Sequence, residues 1–263
     1  MKKRKNYLLF WISQAASQLG STMTSYALII WSYTQSKSVL SESLLTFFTF
    51  APKALVSIFA GGLVDKYNKK KIIIISDSIS AVCSLAICLL FYFGQMQIWH
   101  IYIINIILGF MESLQSPASS VIFGMIVPKE EYEKASGLNS ITDSIITVVY
   151  AMIASALMAF RGINSILLFD ILTYLFAFAI ILFFVKIPHN NIFEKTKVGV
   201  LEGFKDGVKY LKENKGILYI ILSMTILSFL SRLTYENILA PMILASSNDN
   251  STVLGIVTSI IGV

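Results

Sequence analysis

Six apolar runs, each long enough to cross a lipid bilayer and separated by short polar links, constrain this chain more than any other feature. A membrane-spanning helix needs roughly 20 apolar residues, and runs of that kind fall at about 7–34, 43–64, 72–94, 98–126, 138–160 and 164–186. A polar, lysine-rich stretch follows at 189–215, then a seventh run from 216 to about 244, interrupted by Arg232 and Glu236, and the start of an eighth at 252–263. That last piece reaches only about 18 Å, short of a ~30 Å hydrocarbon core, so the pattern predicts a chain that stops in mid-helix. With 56% hydrophobic and 14% charged residues, too few polar side chains exist to clothe a soluble globule. Backbone groups in lipid must be satisfied within their own segment, so runs of this length read as helices. The expected fold class is all-α integral membrane, with a six-helix bundle over 1–188, a basic loop over 189–215 and the beginning of a second bundle over 216–263.

A formal charge of +6 would suggest nucleic acid in a soluble protein, but here the cations sit in links between spans, where membrane topology explains them. Lys2, Lys3, Arg4 and Lys5 precede the first span; Lys66, Lys69, Lys70 and Lys71 fill the second link; Lys129 and Lys134 the fourth; and Lys186, Lys195, Lys197, Lys205, Lys209, Lys212 and Lys215 the sixth. The alternate links hold only Lys37, Arg161 and Arg232. Positive charge favours the inner side, so the N-terminus is expected in the cytoplasm and the protein in the cell membrane. Trp31, Trp99 and Tyr102 then fall at outer ends of spans. The basic start resembles a secretory signal, yet its apolar run continues past Trp31 without a small-residue cleavage site, so it reads as a retained first span. Cys83 and Cys88 are five apart in one span and read as packing residues. In the sixth link, Val198, Leu201, Phe204, Val208 and Leu211 recur at intervals of three and four, which suits an amphipathic surface helix; a solvated tether is the other reading.

The second link packs Gly61, Gly62, one acid and four lysines into the tight turn between two spans. The glycines read as a close-approach surface, Asp65 as an acceptor for Lys66 or for backbone donors of a nearby helix end, and the lysines as an inner-leaflet anchor. Ionisable groups inside the bilayer point more directly to mechanism, since each costs roughly 2.5 to 3.5 kcal/mol at a helix centre. Lys53 and Glu112 lie at matching depth, on the order of 18 to 22 Å from the basic ends of their helices. They are expected to pair near the midplane and share a proton-dependent contact; a structural ion pair or a snorkelling Lys53 are the alternatives. Asp77 is a further proton-coupling candidate, although it and Asp143 sit where a cytoplasmic charge network is the simpler reading. Asp170 reads as structural, with Arg161 or a backbone end as companion, and Arg232 with Glu236 as a helix pair or else part of an outer gate. Gln14, Gln18, Ser21, Thr22, Ser25 and Tyr26 form a polar stripe on the first helix, and Asn105 with Glu112 a second on the fourth. Such stripes suit a wet cavity, lined by Gln14, Gln18, Thr22, Tyr26 and Asn105, or else polar helix packing.

Six spans, a long basic loop and further spans, with G-x-x-x-D-K-x-x-K-K-K after the second, resemble the major facilitator superfamily. Gly61, Asp65, Lys66, Lys69 and Lys70 match that family's second-loop signature, with Asn68 where it usually has glycine and Lys66 where it often has arginine. Gln115-Ser116-Pro117-Ala118 leading to Val127-Pro128-Lys129-Glu130, and Leu201 to Gly203 leading to Tyr210-Leu211-Lys212-Glu213-Asn214, resemble the branch of macrolide-type and siderophore-type efflux proteins. The chain departs from that pattern at Leu108-Gly109, where arginine often precedes glycine, and at Tyr150-Ala151, where exporters often have Gly-Pro. The resemblance implies a secondary transporter, a cytoplasmic latch around Asp65, and proton-coupled export of an amphipathic small molecule such as a drug, macrolide or siderophore. A truncated, non-transporting membrane half with a binding or immunity role, or an importer of a small solute, are the alternatives. No nucleotide loop or metal-ligand spacing occurs, so neither an enzyme nor a cofactor is expected. Small-molecule substrate, protons and lipid are the expected partners, and further helices or a second copy would complete a pathway.

Overall fold

The computed structural model describes residues 2–187, 209–231 and 237–261, and all regular structure among them is helical. In chain order come α1 (Lys2–Ser36), α2 (Val39–Lys66), α3 (Lys69–Tyr92), α4 (Ile98–Ile126), α5 (Tyr132–Arg161) and α6 (Ile163–Ala179), the last continuing as a π-helical turn, Ile180–Phe184. Beyond them lie α7 (Lys215–Ser231), α8 (Asn237–Ser246) and α9 (Ser251–Ile261). Residues 209–213 are helical, but most of the proposed amphipathic helix, including Val198, Leu201, Phe204 and Val208, lies outside the described residues, as do Arg232 and Glu236.

Five helical segments are long and apolar enough to cross a membrane: Ser43–Lys66, Lys69–Tyr92, Ile98–Ile126, Lys129–Arg161 and Ile163–Phe184. The expected span at 7–34 is a helix of 35 residues but is not one of the five. Its polar stripe dilutes the apolar run, so its neighbours must cover that face.

Neighbours in the sequence are not always neighbours in space. α2 packs along α4, α1 along α6 and α5, and α3 against α4 and α6, whereas α2 and α3 meet only near their turn. α9 lies along α5, and α8 against α2 and α9. The packing is of the membrane type, with small polar side chains such as Ser13, Ser76, Ser80, Ser84 and Ser155 buried inside, and Leu55, Ile75, Val82, Leu168 and Leu172 exposed on outer faces. Close approach occurs where glycine removes the side chain. A Cβ on Gly109 of α4 would run into the Thr49 carbonyl of α2, one on Gly20 of α1 into Thr173 and Asp170 of α6, and one on Gly255 of α9 into Ser155 of α5. Gly61, expected to serve this purpose, is exposed with open space at its Cβ position; the helix after it diverges from α2 rather than packing on it.

At the basic end of the bundle, Asn68 caps α3, its Oδ1 accepting from the backbone N–H groups of Lys70 (3.0 Å) and Lys71 (3.2 Å). This gives the departure from the family's glycine a physical reason: two of the otherwise unpaired first-turn donors are satisfied. Asn68→Ala should therefore destabilise the protein by about 1 kcal/mol, read as a lowered thermal midpoint in detergent, while Asn68→Asp should hold it.

Candidate functional site

The six helices of the bundle surround a cavity of about 830 Å³. It extends from Tyr7, Phe123 and Tyr132 at the basic end to Leu28 and Leu45 beyond the middle of the bundle. Its polar lining begins with the α1 stripe. Gln14, Gln18, Ser21, Thr22 and Ser25 all face it, as does Asn105 of α4. The hydroxyls of Ser21, Thr22 and Ser25 donate back to carbonyls three or four residues earlier, which satisfies them within α1 and leaves their oxygens as acceptors. Gln18 donates across the cavity to Asp143 Oδ1 of α5 (3.1 Å).

Tyr26 is the exception to that stripe. It is buried, and turns away from the cavity to Ser155 Oγ (3.0 Å), which donates in turn to the Ser251 carbonyl at the start of α9 (2.9 Å). One helical face cannot hold residues 14, 18, 22 and 26 indefinitely at 3.6 residues per turn; three intervals of four drift the last out of line. Tyr26 belongs instead to an apolar seal with Met23, Ala151, Ala154, Leu244 and Leu254. Lys37, at the end of α1, forms an ion pair with Asp249 in the turn before α9 at the same end. The end remote from the basic loops is thus closed by α1, α5, α8 and α9.

The structure brings Lys53 of α2 and Glu112 of α4 together as an ion pair on the cavity wall. The Lys53 ammonium also lies 5.8 Å from the centre of the Phe50 ring. Glu112 remains 54% exposed, so the pair is wet rather than sealed in the protein. Asp77 does not join a basic-end charge network. It is buried on α3 and accepts from Gln115 Nε2 of α4 (2.7 Å). Asp170 likewise has neither Arg161 nor a helix end as companion, but accepts from Ser84 Oγ of α3 (2.7 Å). Sequence reasoning took Gln115 only as part of a family motif and passed over Ser84 and Tyr174, although Asp77, Ser80 and Ser84 share one helical face and Asp170 and Tyr174 another.

The second-link residues sit apart from the cavity. Asp65 is exposed, and its backbone carbonyl, not its carboxylate, receives Lys69 Nζ (3.0 Å). Lys66 stands over the Tyr67 ring at 6.0 Å. Lys70 does the holding: its ammonium donates to the carbonyls of Leu182 (3.2 Å) and Val185 (2.8 Å), which the π-helical turn leaves open at the end of α6. Asn6 of α1 secures the same end through a reciprocal pair of bonds with the backbone of Lys186 (2.6 and 2.8 Å).

A helical membrane bundle around a wet cavity, with an ion pair on the wall and one end sealed, has the architecture of a small-solute transporter. A profile of the Major Facilitator Superfamily matches residues 10–263, and the chain belongs to that family of multi-pass membrane transporters. Its relatives include Macrolide efflux protein A of Streptococcus pyogenes, 25% identical over 87% of this chain and 58% of that protein. Macrolide efflux protein A of Enterococcus faecalis is 27% identical over 74% of this chain and 59% of that protein. The uncharacterized MFS-type transporter YkuC of Bacillus subtilis is 24% identical over 87% and 55%. The chain spans a little more than half the length of these relatives.

Proposed function

We propose that this protein takes part in proton-driven export of an amphipathic small molecule. The observation that carries the reading is the cavity itself, where the polar stripe of α1 faces a wall bearing the Lys53–Glu112 ion pair. A carrier of this type places substrate and coupling groups near the midplane, between two helical halves that rock about them. In this reading residues 1–188 form the first half, 189–215 the cytoplasmic link and 216–263 the opening of the second, with the remaining wall supplied by further helices or a second copy. The N-terminus is cytoplasmic and the membrane is the cell membrane, because the lysine-rich links share one side. The observed form then opens inward. Gln14, Gln18, Thr22 and Asn105 contact substrate, Lys53 and Glu112 couple protons, Asp77 is a further proton-coupling group, and the loop bearing Gly61, Asp65, Lys66, Lys69 and Lys70 serves the cytoplasmic gate. Export of a macrolide follows from what the Streptococcus and Enterococcus relatives are named for.

The test is accumulation of a radiolabelled macrolide in cells expressing the protein. Lower accumulation than in control cells, restored when a protonophore collapses the gradient, is the expected result. Equal accumulation with and without the protein would end the export reading.

A further inference from the structure

Two acids are buried in this bundle without an ion pair among the described residues. Asp77 on α3 and Asp170 on α6 are each 1% exposed. One oxygen of each accepts a neutral hydrogen bond, from Gln115 and from Ser84. The other has no close partner among the described residues at Asp77 Oδ2, and only the Thr24 hydroxyl nearby at Asp170 Oδ1. The described ion pairs are Lys37–Asp249 and Lys53–Glu112, and neither includes these two acids.

The two acids have Tyr174 as a common neighbour. Tyr174, one turn beyond Asp170 on α6 and 7% exposed, lies within electrostatic reach of both carboxyls and beside Ser80 of α3. On the α1 side Asp170 lies against Gly20 and beside the buried Thr24 hydroxyl, which interacts with its carboxyl. From α4 only Gln115 bonds to Asp77. Of the remaining charged groups on the cavity wall, Glu112 is held by Lys53 and Asp143 by Gln18. Asp170, Tyr174, Ser80, Ser84 and Gln115 all reach the cavity surface, so a short polar path leads from each acid to water.

An anion in this position has lost its water and gained only neutral donors, which do not offset the desolvation. A proton on each carboxyl removes that cost, and needs no cation from elsewhere in the bundle.

We propose that Asp77 and Asp170 form a proton-binding site distinct from the Lys53–Glu112 pair, with both carboxyls carrying protons in the form whose far end is closed. Release breaks the carboxyl O–H bond and places the proton on water that reaches the acids from the cavity, past Gln115 for Asp77 and past Ser84 and Tyr174 for Asp170. It requires α3 and α6 to part enough for water to solvate the anions, so proton release and opening between these helices are one event. The use of the site in coupling rests on the proton-driven reading above; the presence of the protons does not.

The test is infrared spectroscopy of the full chain in lipid nanodiscs at neutral pH, watching the C=O stretch of protonated carboxyl groups. The expected result is a band that weakens in Asp77→Asn and in Asp170→Asn, is lost in the double variant, and persists in Glu112→Gln. Asparagine is the neutral isostere of a protonated acid, so the single variants should melt no lower than the parent. Absence of the band from the parent chain would overturn the proposal without any variant being needed. So would a band unchanged in the single variants, or one abolished by adding sodium at constant pH, which would reassign the site to a metal cation. Macrolide export can fail in cells while this band is present, so the two readings fall separately.

Discussion

Glu112→Gln should lower pH-gradient-driven transport by about tenfold or more, equivalent to roughly 1.4 kcal/mol of lost driving interaction, while leaving the fold in place. The two effects separate because of where the pair sits. Breaking one side of a fully buried ion pair costs about 3–5 kcal/mol, but Lys53 and Glu112 are 33% and 54% exposed to the cavity. That exposure moves the cost towards the ~1 kcal/mol of a solvated pair. Glutamine still accepts a hydrogen bond from Lys53 but has no proton to exchange near neutral pH. Transport driven by a substrate gradient alone should therefore survive in Glu112→Gln. Lys53→Met removes the cation of the pair instead and should likewise lower gradient-driven transport. The measurement is uptake into everted vesicles under an imposed pH gradient, compared with counterflow in its absence. Full gradient-driven transport by Glu112→Gln would remove this pair from proton coupling.

The helices, their order and the Lys53–Glu112 contact were legible in the sequence because bilayer thickness fixes run length and depth. An acid and a base at equal depth on two helices have few other places to go. The cavity face of α1 was legible for three of its four named positions, Gln14, Gln18 and Thr22. It failed at Tyr26, where the stripe drifts with the helical period and the hydroxyl finds Ser155 instead. Other features depend on which helices become neighbours, and that is a property of the assembled bundle. Asp77 lies close enough to the basic loop in the chain to suggest a surface network, but α4 and α6 pack over it. Lys70 could not be assigned to the end of α6 without the π-helical turn that opens the Leu182 and Val185 carbonyls. In the same way, the signature loop drew attention to Gly61, while the close contacts fell to glycines embedded in apolar runs, where periodicity carries no mark of which face meets a partner.

Those glycines yield the second large effect. Gly109→Ala should lower the thermal midpoint of the detergent-solubilised protein, whereas Gly61→Ala should leave it unchanged or raise it. Alanine favours a helix over glycine by about 1 kcal/mol, and at Gly61, with open space at the Cβ position, that preference meets no opposition. At Gly109 the same methyl group meets the Thr49 backbone carbonyl, which cannot rotate aside as a side chain could. α2 must then move off α4, and overpacking of this kind costs about 1–3 kcal/mol, more than the helix preference returns. The displacement has a functional consequence as well, because Lys53 lies one turn beyond Thr49 on α2 and Glu112 three residues beyond Gly109 on α4. Forcing the helices apart at the glycine stretches the ion pair next to it, so Gly109→Ala should also lower gradient-driven transport, as Lys53→Met does. Gly109→Leu should prevent recovery of folded protein. Equal midpoints for Gly109→Ala and Gly61→Ala would mean that α2 and α4 do not meet at this position.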